Sequence, residues 1–459
     1  MVSTEPARPA GMRTFLTIWI GQMISMLGSG LTGFALGVWI YQRTGQATPF
    51  ALTALFSTLP RILIAPFAGA LVDRWPRKLV IIGADTGAAL ATLSAVLLSF
   101  SGLLEVWHIY LIALVGSLCA AFQEPAFSAS ITLIVPREHY GRASGLQQAG
   151  RALEMLIPPV IAGLLFGLIG LHGIILIDFV TFFFAVGAVL LVAIPQPPES
   201  AEGAASRGTL FTEAAFGWRY IRQRHGLLAM LVYFAAVNFA ANMAGILVTP
   251  MVLSFARTET LGVIQAISGA GMLAGSILMG VWGGPQRRMR GIYWTIALSG
   301  LGLLAMGLRP SAWVVAPSFF VMLFFIPLAS GGAQAIWQSK VEPDVQGRVF
   351  ATRTMIATSM MPLAYLLSGL LADGVFEPLM APGGALAGSL GALIGVGQGR
   401  GMAFMLIISG LGMLAATLLA AGYRPLRRVE FDLPDVILPE PEAAVQPAED
   451  MEGAPVPAS

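Results

Sequence analysis

Three charged side chains stand in stretches where charge is costly. Arg61, Glu124 and Glu154 each lie inside a long apolar run of the 459-residue chain. A charge at the centre of a bilayer costs about 2.5–3.5 kcal/mol or more, so such a residue is a functional-site candidate by default. Arg61 is about 12 residues from Asp73, Glu124 about 12 from Pro136, and Glu154 about 12 from Arg142. At about 1.5 Å per helical residue, all three sit about 18 Å in, near mid-bilayer. One arginine neutralises one carboxylate at a time. The other carboxylate, alone in low dielectric, can exchange a proton near neutral pH, as a proton carrier must. Asp85 reads as shallower, and Asp178 as close to the far end of its run. The C-terminal half offers Asn238, Asn242, Gln265, Gln334 and Gln338 in place of a deep charge, together with Trp337. Of these, Asn238, Asn242, Gln334 and Trp337 are the candidate substrate contacts.

Other chemistry has no residues to rest on. No Gly-Lys dipeptide occurs, which rules out a Walker A phosphate loop. His108, His139, His172 and His225 fall at separate helix ends and read as interfacial, so no metal site is expected. Motifs for serine, zinc or dithiol catalysis are missing, and neither an enzyme activity nor a cofactor is expected. The single cysteine, Cys119, cannot form an intramolecular disulfide. The only lysines are Lys78 and Lys340, and no basic patch interleaved with aromatics appears, which argues against nucleic acid as a partner.

The elements that carry these residues are membrane spans. Hydrophobic residues make up 56% of the chain and charged residues 11%. Soluble proteins carry about 25% charge, so the expected surroundings are a lipid bilayer. The apolar run from Phe15 to Tyr41 is too long for a cleaved signal and long enough to span. Twelve spans are predicted, at 14–41, 49–72, 79–101, 108–135, 143–168, 173–194, 229–254, 262–283, 291–308, 312–337, 349–372 and 401–422. Their length excludes barrel strands of about 9–11 residues, and helices satisfy every backbone group internally. The fold class is therefore all-α. Basic residues set the orientation. Arg43, Arg257, Arg309 and Arg400 fall on one side and Arg61 within a span. The others, Lys340, Arg348 and Arg353 among them, lie on the side of the N-terminus. Both termini are then cytoplasmic under the positive-inside rule, in a multi-pass protein of the cell (inner) membrane.

Five segments follow: an N-terminal tail (1–13), a six-helix bundle (14–194), a linker (195–228), a second bundle (229–422) and a disordered Pro/Glu/Ala-rich tail (423–459). The linker holds Pro195, Pro197 and Pro198, then a short amphipathic segment from Phe211 to Arg224. Residues 373–400 make a long Gly-rich loop, either flexible or carrying a short half-embedded helix at 385–396. The bundles repeat. Gly141-Arg142 after span 4 matches Gly347-Arg348 after span 10, and 162–165 matches 368–371 at the same offset.

The loop between spans 2 and 3 reads Gly69-Ala-Leu-Val-Asp73-Arg74-Trp-Pro-Arg77-Lys78. It resembles the signature loop of the major facilitator superfamily, Gly-x-Leu-x-Asp-Arg-x-Gly-Arg-Lys, with Pro76 replacing the second Gly. Parallel six-helix repeats are the architecture of that superfamily. The resemblance implies a conformational latch made of Gly69, Asp73, Arg74, Arg77 and Lys78. In it Asp73 meets the positive end of span 11, a charge–dipole contact. The stretches 21–33 and 335–351 look like the macrolide-efflux and siderophore-export branch of drug:proton antiporters. In span 5, Pro158-Pro159-Val160-Ile161-Ala162-Gly163 is similar to the antiporter pattern Gly-Pro-x-x-Gly-Gly, with Glu154 where a Gly is expected. The proline pair would kink the span, and Ala162 and Gly163 would allow close packing.

What the resemblance implies is secondary transport by alternating access: proton-coupled export of an amphipathic small molecule, macrolide-like or siderophore-like, by a monomer. It also places span 4 beside span 2, which pairs Arg61 with Glu124 and leaves Glu154 to carry the proton. Two rivals stay open, a proton-coupled uptake symporter of the same fold and a non-transporting membrane sensor or scaffold.

Overall fold

The computed structural model describes residues 11–72, 75–136, 139–194, 210–342 and 345–432. The described residues form helices: α1 (Met12–Thr44), α2 (Ala47–Val72), α3 (Arg77–Phe100), α4 (Val106–Ile134), α5 (Tyr140–Leu190), α6 (Leu210–Gln223), α7 (His225–Leu253), α8 (Thr258–Trp282), α9 (Arg288–Met306), α10 (Ala312–Lys340) and α11 (Gln346–Leu371). A π-helical turn (Ala372–Phe376) leads to α12 (Glu377–Met380), followed by α13 (Leu390–Ile394), α14 (Arg400–Gly422), α15 (Arg424–Arg427) and α16 (Val429–Asp432).

Eleven helices among the described residues are long and apolar enough to cross a membrane. One of them supplies two crossings. α5 holds 51 residues, and its helical path breaks at Gly170, whose φ of 66° favours a residue without Cβ. Ala143, near its start, and Val189, near its end, belong to one apolar cluster, while Ala162 and Ile174 belong to another. The chain thus runs up and back, and the twelve predicted spans are present. Glycine also ends helices. Gly45 is left-handed at φ 65° after α1, and its N–H bonds to the Tyr41 carbonyl at 2.8 Å.

The two ends of the molecule can be named by Gly45, between α1 and α2, and Trp75, between α2 and α3. Large apolar side chains are exposed around the periphery, Leu168, Leu191, Val281 and Trp313 among them. Such exposure is abnormal for a protein in water and fits hydrocarbon surroundings. Trp107 and Trp313 are exposed near the Gly45 end, Trp75 and Trp282 near the other, as in an aromatic belt.

The halves touch at the Gly45 end. Val38, Tyr41 and Ala47 of the first half are buried in the apolar core of the second. At the Trp75 end, the buried core is built from first-half residues such as Phe15, Ile81 and Ile134. α5 packs on α8 through small residues: a Cβ on Gly163 would lie 3.2 Å from the Thr258 carbonyl oxygen, and one on Gly262 would collide with that of Pro159. Gly163 makes this approach, while Ala162 is buried in an apolar cluster of the first half. α2 meets α11, where a Cβ on Gly369 would stand 2.7 Å from the Cα of Thr48.

The 373–400 segment is folded and not a flexible loop: a short helix, Leu390–Ile394, stands within the expected 385–396, with Ile394 buried and Leu393 exposed. The Glu377 carboxylate accepts the N–H groups of Gly399 and Met402 at 3.0 and 2.9 Å, and buried Arg400 donates to the Ile394 carbonyl at 3.2 Å. The expected tail begins later than 423. α16 folds back on the second bundle: Val429 is buried, Glu430 accepts the Arg288 N–H at 2.9 Å, and Lys340 donates to the Glu430 carbonyl at 2.7 Å.

Candidate functional site

A cavity of about 1060 Å³ opens in the first half, lined by α1 to α5. Its floor on α1 is polar because Gln22, Ser25, Ser29 and Thr32 recur at helical spacing and share one face. Among the described lining residues its charges are Arg61, Asp85, Glu124, Glu154 and Asp178. The imbalance is negative, four carboxylates to one guanidinium.

Arg61 Nη1 lies 2.7 Å from Glu124 Oε1. The pairing expected between spans 2 and 4 is therefore present. Ser117 of α4 fixes the register, accepting the Arg61 backbone N–H on its hydroxyl oxygen at 3.1 Å. The two side chains keep 41% and 58% of their exposure. They face open space, not lipid, and an exposed pair of this kind adds only about 0–1 kcal/mol to stability. Glu154 of α5 lines the same cavity. All three predicted mid-membrane charges thus share one space.

Two further carboxylates were underrated from sequence. Asp85 is 5% exposed and Asp178 is 1% exposed. Gln22 Nε2 donates to Asp85 Oδ2 at 2.8 Å, Gln123 donates to Gln22 Oε1 at 2.8 Å, and Gln123 reaches Asp85 Oδ1 at 3.4 Å. Ser29 Oγ donates to Asp178 Oδ1 at 3.1 Å. The polar face of α1 is therefore gripped at two levels, by α3 and by the second limb of α5. The helical spacing of Gln22, Ser25, Ser29 and Thr32 on α1 is the signal the sequence carries.

The expected latch is divided. Asp73 and Arg74 lie outside the described residues. Arg77 donates to the Ala129 carbonyl at 2.6 Å, and Lys78 to the Leu190 and Val192 carbonyls at 3.0 and 2.7 Å. These cations bind chain ends within the first half, where helix C-terminal carbonyls favour positive charge.

In the second half the candidate substrate contacts separate. Asn238 and Trp337 line a pocket of about 180 Å³, and Trp337 is otherwise buried. Asn242 donates to the Asn238 backbone carbonyl at 2.7 Å on its own helix. Gln334 accepts from Arg353 Nη2 at 2.8 Å. Arg353, counted from sequence among charges flanking the spans, lines the same pocket. The second half thus holds an interior charge that hydropathy at a span edge conceals.

A model of the Major Facilitator Superfamily matches residues 18–365. Macrolide efflux protein A of Streptococcus pyogenes is 31% identical over 366 residues, covering 79% of this chain and 90% of that protein. Macrolide efflux protein A of Enterococcus faecalis is 30% identical over 314 residues, covering 68% and 97%. Among solved structures, a bacterial homolog of the human lysosomal transporter Spinster, inward-facing and unoccupied, aligns with a TM-score of 0.66 at 14% identity, over 92% of this chain and 98% of that one. A bacterial homologue of the iron transporter ferroportin, in an inward-facing state, gives 0.62 at 14% identity over 89% and 98%. At these identities the likeness to the solved structures is one of fold.

Proposed function

The chain belongs to the major facilitator superfamily, and from that premise we propose that it is a proton-coupled exporter of an amphipathic, macrolide-like small molecule. The observation that carries this reading is the grouping of Arg61, Glu124 and Glu154 in one cavity. Arg61 is occupied by Glu124. We assign the coupling proton to Glu154, the carboxylate that shares this cavity with the Arg61–Glu124 pair. The cavity offers room for a bulky ligand, and its apolar walls with a few polar groups suit an amphipathic one.

With the positive side cytoplasmic, the Trp75 end faces the cytoplasm and both termini lie there. The contacts described between the halves then lie on the outer side, which suits a state in which an exporter loads its cargo. Asp73, with Arg74 and Gly69, would latch the opposite state by its charge on a helix end.

The test is transport by Glu154→Gln in vesicles of known orientation. Uphill transport should vanish while downhill exchange and ligand binding persist. Binding should also lose its pH dependence between about pH 5 and 8. Unchanged, pH-dependent uphill flux would remove Glu154 from the mechanism. The same outcome in Glu124→Gln would remove proton coupling through this cluster.

A further inference from the structure

Four arginines of the second half stand together without acidic partners. Arg287 and Arg290 lie at the start of α9, and Arg424 and Arg427 bound α15, just past α14. All four are exposed. The fold brings the two pairs to one place. α16 turns back so that Glu430 accepts the Arg288 N–H at 2.9 Å. On the other side of this hook, a Cβ on Gly226 would lie 2.7 Å from a Val429 methyl and 3.2 Å from the Pro425 carbonyl oxygen, which gives the hook a fixed seat on α7. The nearby acids are already engaged, Glu430 by that N–H and Asp432 by Arg428 at 3.2 Å. Among the described residues, none of the four arginines pairs with a carboxylate.

Helical spacing continues the arginines into an apolar wall. Arg287, Arg290, Trp294 and Leu301 recur at helical intervals and share one face of α9. Trp294 and Leu301 are exposed on it. On α14, Leu411, Leu418 and Leu419 are exposed and lead to exposed Tyr423. The two helices pack directly: Tyr293 Oη donates to the Ala420 carbonyl at 3.2 Å, and a Cβ on Gly300 would stand 3.2 Å from the Gly410 carbonyl oxygen. One sheet of exposed hydrocarbon side chains therefore ends in a rim of four unpaired guanidinium groups. In a membrane the wall meets acyl chains, and the rim, with Tyr423 beside it, lies at headgroup level. The phosphate of a lipid is the anion present at that level, and the guanidinium fork meets two of its oxygens at once. A net positive rim favours lipids whose headgroup adds no cation of its own.

We propose that this rim and wall bind an anionic phospholipid, its phosphate on the arginines of α9 and α15 and its acyl chains along α9 and α14. The contact fastens the end of the second bundle to the bilayer surface and involves no covalent step. It rests on the membrane placement of the chain and not on the direction or coupling of transport.

The experiment is native mass spectrometry of the full chain in detergent, titrated with dioleoyl phosphatidylglycerol, dioleoyl phosphatidylcholine and glycerol 3-phosphate. The first phosphatidylglycerol should bind about ten-fold more tightly than phosphatidylcholine, and glycerol 3-phosphate should not displace it. Arg290→Gln with Arg427→Gln should remove that preference, and the two lysine replacements should keep most of it. Arg219→Gln with Arg222→Gln, which removes two exposed charges of α6, should leave it intact. Equal binding of the two lipids by the unaltered chain would overturn the proposal, as would an undiminished preference in the Arg290/Arg427 glutamine variant. An equal loss in the α6 variant would reduce the effect to general charge and also overturn it. A preference that emerges only when the chain is stopped after Asp432 would assign the rim to the chain's own acidic tail instead. The readout is lipid binding and not flux, so its failure leaves the export reading standing, and failure of proton coupling leaves this site standing.

Discussion

Depth along a helix and burial are independent, and Asp85 separates them. Counting from the predicted span start at 79 makes it shallow, yet it is buried because it points inward, where Gln22 of α1 and Gln123 of α4 receive it. Arg61 and Glu124 are legible from sequence because depth alone marks them as costly. Arg353 is not, because an arginine near a span edge looks like any positive-inside residue. The linker offers a test at this same scale. Tyr220 of α6 donates to Glu342, just past α10, and Arg224 lies over the Tyr220 ring and 3.5 Å from Glu342. The Tyr220 bond and the nearby guanidinium hold the Glu342 carboxyl below its usual range, while burial and Glu342 push the Tyr220 hydroxyl up to about 12. A carboxyl lowered by folding stabilises above its unfolded value, about 4.3, and that contribution disappears as pH falls through the folded value. The protection of the α6 amides, measured against their intrinsic exchange rate at each pH, should therefore be high at neutral pH and fall below about pH 4. Tyr220→Phe should exchange faster at neutral pH and show a weaker acid step. A profile identical in both proteins would rule out the contact as the source.

Helix ends carry the junction between the halves. The Asp373 carboxylate, just past α11, accepts the first N–H groups of α2, from Ala47 at 2.9 Å and Thr48 at 2.7 Å. Those groups have no partner within their own helix, and a negative charge there is favourable. Asp373 thus pins the second half to the first at the Gly45 end, beside the close approach of Gly369 to Thr48. The span positions could be read from sequence, but this contact could not, since it joins residues 325 apart in the chain. Removing such a cap costs about 1 kcal/mol, roughly a five-fold shift between open and closed. Cys119, the only cysteine, lines the first-half cavity and reports the shift without added thiols. Asp373→Ala should slow its reaction with an impermeant maleimide from the Trp75 side. An unchanged rate would mean that the cap does not govern closure.

At the level of the whole molecule, hydropathy and charge placement establish the membrane and the twelve crossings, because lipid leaves helices no alternative. The pairing of halves is less legible. Gly163 and Gly262 meet across segments far apart in the chain, which no local pattern pairs. Of the span 5 pattern, Pro159 and Gly163 stand where α5 approaches α8. Closure at the Gly45 end with a cavity carrying Arg61, Glu124 and Glu154 makes one coherent exporter only if a proton gradient drives the cargo outward. Accumulation of radiolabelled erythromycin in inside-out vesicles with an acidified lumen measures this directly. The account predicts uptake above the external concentration, lost on adding a protonophore. Uptake that ignores the gradient, or accumulation only in right-side-out vesicles, would contradict it.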